Sequence, residues 1–248
     1  MLTNNHRQRS NDRSGTLRVL AMGDCNTCGI TVPPIGNTIV DKFCKQLESY
    51  GTRTTIQNLG CGMASTREGV PLVRRVAMPA DVVLINFGLV DTWITSIPSV
   101  YIPYYPDSFL RKRLRKLLKF VKRRLRSPLL RHYIPVGPVV PIDEYARNVG
   151  KMISLARAHN PRTTILLWGS PLVQHDSARN ANLERYNQRL ELIAADTKSL
   201  FVSTATLLSK LSNEAAYLDA VHLSDAATER IAAQLANVYR AQQLAAAG

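Results

Sequence analysis

The sequence predicts an α/β fold in which helices cover both faces of a parallel sheet of about five strands. Short apolar or β-branched runs, the clearest being "DVVLINF" at residues 81–87, alternate with longer segments of helical periodicity. This alternation repeats about five times, and turn signals such as "NLGCG" separate the segments. A three-layer α/β/α sandwich is the architecture that such a repeat favours.

The individual elements follow from local patterns. Strands are predicted at residues 17–22, 52–59, 81–87 and 199–205, and within the segment "NPRTTILLWGSP". Helices are predicted at residues 35–50, 67–76, 143–159, 182–195 and 224–244. Gly51 is a suitable end for the first of these helices, and Ser224 is a suitable N-cap for the last.

Composition indicates a soluble globular protein, with 45% hydrophobic and 20% charged residues in a chain of 248. Residues 1–16 are polar and contain no apolar segment, so we expect a disordered tail, no secretory signal and a folded domain at residues 17–248. No stretch approaches the length of a transmembrane helix. With four cysteines, the sequence predicts reduced thiols and a cytoplasmic protein, peripheral at the inner face of the membrane.

The net charge of +14 is concentrated in one segment. Residues 109–131 hold eleven Lys and Arg and no acidic residue, which leaves +3 for the rest of the chain. The pattern predicts a basic amphipathic helical insert at about residues 107–131, either docked on the domain by its leucine face or bound to an anionic membrane. An anionic polymer is a further alternative, and nucleic acid is disfavoured because no aromatic residues form a stacking platform. The candidate anion-binding residues are Arg111, Lys112, Arg115, Lys116, Lys119, Lys122, Arg123 and Arg126.

Four loops are expected at the sheet edge where ligands bind in such folds. They are "GDCNTCG", "NLGCGMAST" and "GLVDTW" after the first three strands, and "LDAVHLSD" before the last helix. In the first loop, Cys25 stands at a strand-to-helix turn, where the helix N-terminus is expected to lower the pKa of a thiol. In the last loop, His222 follows Asp219 by three residues, so the carboxylate can orient the imidazole.

Two other interpretations of the cysteines remain open from the residues alone. Cys25 and Cys28 have the spacing of a thioredoxin-like redox pair, which also lies at a strand-to-helix junction. A zinc site from Cys25, Cys28, Cys61 and His222 has suitable ligand types, although the chain lacks a second Cys-x-x-Cys. The simplest interpretation of Cys28, Cys61 and Cys44 is packing in the protein interior.

In this order, the four loops resemble the signature blocks of the SGNH/GDSL hydrolase family, from about residue 17 to residue 238. The resemblance identifies Cys25 with the family's nucleophilic serine, His222 with the general base and Asp219 with the residue that orients the base. It implies a flavodoxin-like sheet, an ester substrate and neither a cofactor nor a metal. Further support of the site is expected from Asp24, Asn26, Asn86 and Asp91.

The two middle loops depart from the family pattern. A gap-free match of the second block puts Met63 at the usual glycine position, so the implied oxyanion donors are the backbone N–H groups of Cys25 and of Gly62 or Met63. In the third block, Val90 stands where the family has an asparagine that donates to the oxyanion. Loss of one such donor typically lowers the rate by about 10²–10³-fold. The polar side chains that could take its place are Asn26 and Asn86.

We therefore predict an ester hydrolase built on Cys25, His222 and Asp219, acting as an esterase, deacetylase or acyl transferase. A third block of the form Gly-x-Val-Asp resembles a subgroup associated with bacterial surface-polysaccharide clusters, which favours an acylated surface polysaccharide or its precursor as substrate. The two departures favour the competing hypothesis of a catalytically inactive domain that binds glycan or an anionic membrane. Candidates for a sugar- or acyl-binding wall are Trp93, Tyr101, Tyr104 and Tyr105.

Overall fold

The structure, a computed structural model, describes residues 15–29, 37–76, 79–103, 108–125, 133–246 and 248. Its strands are β1 (Leu17–Gly23), β2 (Thr54–Asn58), β3 (Val82–Asn86), β4 (Ile94–Ser96), β5 (Val136–Pro138), β6 (Thr164–Trp168) and β7 (Leu200–Val202). Its helices are α1 (Cys25–Cys28), α2 (Ile39–Ser49), α3 (Thr66–Arg74), α4 (Phe109–Leu125), α5 (Ile142–His159), α6 (Ser177–Asp196), α7 (Thr204–Leu208), α8 (Asn213–Ala216) and α9 (Asp225–Ala245). Most of the tail predicted at residues 1–16 lies outside the described residues.

Five strands form one parallel sheet in the order β2-β1-β3-β6-β7. The sheet separates two cores because successive residues of a strand face opposite sides. In β1, Leu20 and Met22 face α3, α5 and α6, whereas Val19 and Ala21 face α2 and α9. All of β3 is buried, as expected for a central strand covered on both faces. The predicted α/β/α sandwich is confirmed.

Capping residues determine where the helices next to the site begin. Thr38 and Asp41 form a capping box, so α2 begins at Ile39 and not at residue 35 as predicted. The Ser224 side chain accepts a hydrogen bond from the Ala227 N–H, which starts α9 where the sequence predicts it. This cap also fixes the end of the loop before α9.

The basic insert lies between β4 and β5 in the chain, and these two strands pair as an antiparallel ribbon. The sequence patterns do not predict this ribbon because each strand has three residues and β5 lies in a stretch rich in proline and glycine. The predicted basic helix corresponds to α4; residue 107 and residues 126–131 of the predicted insert lie outside the described residues. Among the described residues, no helix combines the length and apolar character needed to cross a membrane.

The hypothesis that α4 docks on the domain by its leucine face is wrong. Arg115 Nη1 donates to the Pro103 carbonyl at 3.0 Å, and Lys122 Nζ donates to the Ile97 carbonyl at 3.0 Å. These cations satisfy loop carbonyls, so the face that carries them turns toward the domain and much of the apolar face turns outward. The outward apolar residues are 42–70% exposed: Phe109, Leu110, Leu114, Leu117, Phe120 and Val121.

Candidate active site

The nucleophile candidate Cys25 begins α1 and is separated from the end of β1 by Asp24 alone. Asp24 is the N-cap of this turn, and its Oδ1 accepts a hydrogen bond from the Asn26 N–H at 3.1 Å. Gly29 ends the turn with a φ of 70°, a conformation that glycine adopts without strain. The Cys25 side chain is half-buried and packs against an apolar cluster that contains Leu89.

The electrostatic surroundings of Cys25 differ from the expectation. Burial raises the pKa of its thiol, and the neighbouring Asp24 and Cys28 add to this effect. The N–H groups of Cys25 and Asn26 oppose it only in part. The prediction of a lowered thiol pKa is wrong because α1 has four residues, too few for a strong dipole, and begins beside a buried carboxyl. The thiol is therefore protonated at neutral pH, and attack requires a base.

Asp219 and His222 form the base and its orienting partner. Asp219 Oδ2 lies 2.7 Å from His222 Nδ1, and Asp219 Oδ1 accepts the backbone N–H groups of Val221 and His222 at 2.8 Å each. Burial would raise the pKa of Asp219, but these hydrogen bonds lower it to about 2. An ionised carboxylate on Nδ1 holds that nitrogen as the donor and leaves Nε2 to accept a proton.

The side chain of Asn26 joins the nucleophile turn to the histidine loop. Its Nδ2 donates to the Val221 carbonyl at 3.3 Å, and its Oδ1 accepts the Leu223 N–H at 3.2 Å. These two residues flank His222, and Asn26 is only 6% exposed. A single buried amide therefore fixes the backbone around the histidine relative to Cys25, although the two segments are 195 or more residues apart in the chain.

The second loop is also attached to the nucleophile turn. The Cys61 N–H donates to the Gly23 carbonyl at 3.0 Å, and Asn58 Nδ2 donates to the Thr27 carbonyl at 2.9 Å. Met63 adopts a left-handed conformation with a φ of 63°, which is uncommon for a residue with a side chain. In the described part of the chain, the Gly62 and Met63 N–H groups meet no hydrogen-bond acceptor. The backbone of this loop thus keeps donors available.

In the third loop, Asp91 has a structural contact. Its Oδ1 accepts hydrogen bonds from the N–H and Oγ1 of Thr66 at 3.0 and 2.6 Å, which holds the start of α3. Burial raises the pKa of this carboxyl to about 7. Val90 is 4% exposed and offers no polar group.

Both asparagines considered as replacement donors have structural hydrogen bonds. Asn86 is fully buried and donates to the Trp168 carbonyl at 2.8 Å, which ties β3 to β6. The amide of Asn26 is engaged with the histidine loop, as described above. Both side chains bond to backbone groups, through which they support the site.

Sequence reasoning missed one charged residue at the site. Arg179, in the first turn of α6, donates from Nη2 to the Leu89 carbonyl and lies 5.5 Å over the Trp93 ring. Burial raises the pKa of Asp24 to about 7, while the charges of His222 and Arg179 lower it. A cation in the first turn of a helix opposes the helix dipole. This local conflict is the sequence feature that could have identified Arg179 as a site residue.

The cysteines are free thiols, and Cys28 Sγ lies 3.5 Å from the Cys25 carbonyl as a weak donor. Cys44 is 2% exposed and belongs to the core, as predicted. Within the described ranges, no three His, Cys, Asp or Glu side chains are grouped as metal ligands would be.

A cavity of about 540 Å³ lies between α4 and the loop after β3. Val90, Trp93 and Tyr101 contribute to its wall, while Tyr104 and Tyr105 fall outside the described residues. Of the predicted anion-binding residues, Arg111 and Lys112 lie away from the cavity, and Arg126 is outside the described residues. Those that line the cavity are Arg115, Lys116, Lys119, Lys122 and Arg123.

The fold matches that of known proteins. The model of the GDSL-like lipase/acylhydrolase family matches residues 21–230. A catalytic mutant of Axe2, an acetylxylan esterase from Geobacillus stearothermophilus, is 20% identical, with 89% of this chain and 93% of that chain covered and a TM-score of 0.57. TesA is 16% identical, with 92% and 98% covered and a TM-score of 0.59. A search of curated proteins gave no match.

A further solved structure, a member of the lipolytic G-D-S-L family from Veillonella parvula, is 14% identical over 90% of this chain and 97% of that chain, with a TM-score of 0.57. At such identities these structures establish the shared fold. The family model covers most of the chain, including all four loops, and so confirms the resemblance found in the sequence. The chain belongs to the GDSL-like lipase/acylhydrolase family and is by class a hydrolase that acts on ester bonds.

Proposed function

We propose that Cys25 is the nucleophile of this hydrolase, with His222 as its base and Asp219 as the residue that orients the base. The Cys25 sulfur attacks the ester carbonyl carbon while His222 Nε2 takes the thiol proton. The tetrahedral intermediate collapses to a thioester, and His222 returns the proton to the departing alcohol oxygen. Water then attacks the thioester, with His222 again as the base, which releases the acid and regenerates the thiol.

The bridge formed by Asn26 is the observation that carries this proposal. It joins the cysteine turn to both neighbours of His222 through one buried amide. The short contact between His222 Nδ1 and Asp219 supports the base in the tautomer that the reaction needs. Because the pKa of the Cys25 thiol is raised, proton removal by His222 accompanies attack, and no preformed thiolate is required.

The backbone N–H groups of Cys25 and of Gly62 or Met63 are the proposed oxyanion donors. The acyl group comes from an acylated surface glycan or its precursor. Trp93, nearly half exposed at the cavity wall, supports this choice because aromatic rings provide flat apolar contacts for sugars and acyl chains.

Hydrolysis of p-nitrophenyl acetate tests the proposal. The native protein should release p-nitrophenol, Cys25→Ala should lose this activity, and Cys25→Ser should retain part of it. Cys28→Ala is the matched control and should behave as the native protein. A redox pair would instead need both cysteines. If the native, Cys25→Ala and Cys25→Ser proteins are equally inert and Cys25 is not selectively alkylated, the alternative of an inactive binding domain replaces the proposal.

We also propose that α4 binds an anionic membrane surface and holds the enzyme there. Six large apolar side chains of α4 are exposed along its outward side, and Lys112, Lys116, Lys119 and Arg123 follow on the adjacent side. Interfacial helices combine an apolar face with cations in this way, and each cation near an anionic surface contributes about 1 kcal/mol. No acidic residue of the segment offsets these charges.

Flotation with liposomes tests the membrane proposal. The protein should float with vesicles that contain anionic phospholipid, and the bound fraction should fall as salt is raised. Binding that is equal on neutral vesicles, or absent on both, contradicts it. If the protein binds an anionic polymer in solution and binds no vesicle, the polymer alternative is favoured.

A further inference from the structure

A guanidinium lies against the third block, the loop that lacks its side-chain donor. Val90 replaces the asparagine, but the carbonyl of Leu89, directly before it, accepts a hydrogen bond from Nη2 of Arg179. On the other side of Val90, the Trp93 ring lies under the same guanidinium at 5.5 Å. These two contacts fix the arginine head group on the loop that should have provided the donor.

Packing brings the same arginine toward the nucleophile turn. Leu183 lies one turn after Arg179 on α6 and is fully buried in an apolar cluster with Leu89, against which Cys25 packs. Residues four apart share a helix face, so Arg179 and Leu183 approach Cys25 from the same side. Burial lowers the pKa of Arg179, and the charge of Asp176 opposes that effect, as do the smaller contributions of Asp24 and of a Cys25 thiolate, which are close enough to act on the guanidinium.

The position of Arg179 is unfavourable for a residue that only contributes to stability. Its backbone N–H donates to the N-cap Asp176 at 2.9 Å, which places its charge in the first turn of α6, against the helix dipole. Its Nε is buried and has no acceptor among the described residues. Conflicts of this kind with local rules are expected at functional sites.

We propose that Arg179 is a catalytic residue that stabilises the oxyanion in place of the asparagine replaced by Val90. This inference rests on the proposed attack by Cys25 on an ester. As the sulfur adds to the carbonyl carbon, the carbonyl oxygen gains a negative charge, and the guanidinium donates to it. A charged donor acts more strongly than a neutral amide, so one arginine can replace the missing side chain.

Kinetics of three variants test the assignment. Arg179→Met should lower kcat for p-nitrophenyl acetate by about 10²–10³-fold with little change in KM, because the donor acts in the transition state. Arg179→Lys should retain part of the rate. Adding Val90→Asn to Arg179→Met should restore at least about 10-fold, since it returns the family's donor to the same place. An unchanged kcat in Arg179→Met, or no recovery in a folded double variant, overturns the proposal.

A second measurement works on the thiol itself and does not need turnover. Iodoacetate is anionic and iodoacetamide is neutral. The rate of Cys25 alkylation by iodoacetate divided by the rate with iodoacetamide therefore reports the local charge. Mass spectrometry assigns the label to Cys25, with Cys25→Ala as the blank. The ratio should fall several-fold in Arg179→Met, and an unchanged ratio overturns the inference. If the native protein hydrolyses no ester while the ratio still falls, the proposed function fails and the location of the charge stands.

Discussion

The sheet edge that carries Cys25 and the helix α4 lie on either side of the loop after β3, and they are held by opposite kinds of contact. At the sheet edge, buried polar side chains such as Asn26 and Asp91 join loops that are far apart in sequence. In α4, no residue is buried, and Arg115 and Lys122 attach the helix to loop carbonyls. The first region is held by contacts within the domain, whereas the apolar side of the second has no partner in the described part of the domain.

The comparison predicts that the two regions can be inactivated separately, and the largest effect is expected at His222. His222→Gln should lower kcat for p-nitrophenyl acetate by about 10²–10⁴-fold because the thiol loses its general base. Its binding to anionic vesicles should not change. His175→Gln is the matched control, since His175 is an exposed histidine in the loop before α6, and this variant should have native kinetics.

A dependence of stability on pH should come from the sheet edge. The folded-state pKa values of Asp24 and Asp91 are raised to about 7, so the folded protein binds more protons than the unfolded chain between about pH 4 and pH 7. The free energy of unfolding should therefore fall as pH rises through this window, by up to about 4 kcal/mol for each of the two carboxyls. Below about pH 4, Asp219 has the opposite effect on the free energy of unfolding. Because the pKa of Asp219 is lowered in the folded protein, its contribution to stability is lost as the pH falls toward 2.

Urea unfolding at several pH values measures this dependence. Asp24→Asn and Asp91→Asn should each flatten the decrease, whereas substitutions in α4 should leave it in place because that helix has no acidic residue. If both aspartate variants retain the decrease in the free energy of unfolding between about pH 4 and pH 7, other groups cause it.

Membrane binding should depend on the outward side of α4. Leu114→Gln together with Leu117→Gln should lower the partition coefficient on anionic vesicles by about 10–100-fold, since two exposed leucines lose their contact with lipid. Hydrolysis of a soluble ester should be unchanged. The matched control carries Leu192→Gln and Leu244→Gln, which change two leucines on other helices that are at least half exposed. Equal losses in both double variants would contradict a specific role for α4.

The smallest effect is expected for the bridge between the two catalytic loops. Asn26→Ala should lower kcat by about 10-fold, because His222 loses its fixed position while the catalytic groups remain. Asn160→Ala removes a comparable bridge at the other end of the sheet, where Asn160 Nδ2 donates to the Ala80 carbonyl at 2.9 Å. That control should lose stability and keep its kcat. If both variants lose kcat in proportion to stability, the bridge has no particular role in the site.

Local signals were sufficient for the elements that a short window determines. The apolar run of β3, the Ser224 cap of α9 and the spacing of Asp219 and His222 were predicted because neighbouring residues decide them. The contacts of Asn26 and Arg179 were not, because they join residues far apart in the chain. The periodicity of α4 identified its apolar face, but the side that turns toward the domain depends on carbonyls of another segment, such as that of Ile97.

Detection of a covalent intermediate is the direct test of Cys25 as the nucleophile. The native protein is mixed with excess p-nitrophenyl acetate, quenched in acid within the first turnovers and digested for mass spectrometry. We expect an acetyl thioester on the peptide that contains Cys25, loss of this label in Cys25→Ala and an unlabelled Cys28. An active enzyme with no label on Cys25, or with the same labelling in Cys25→Ala, would contradict it.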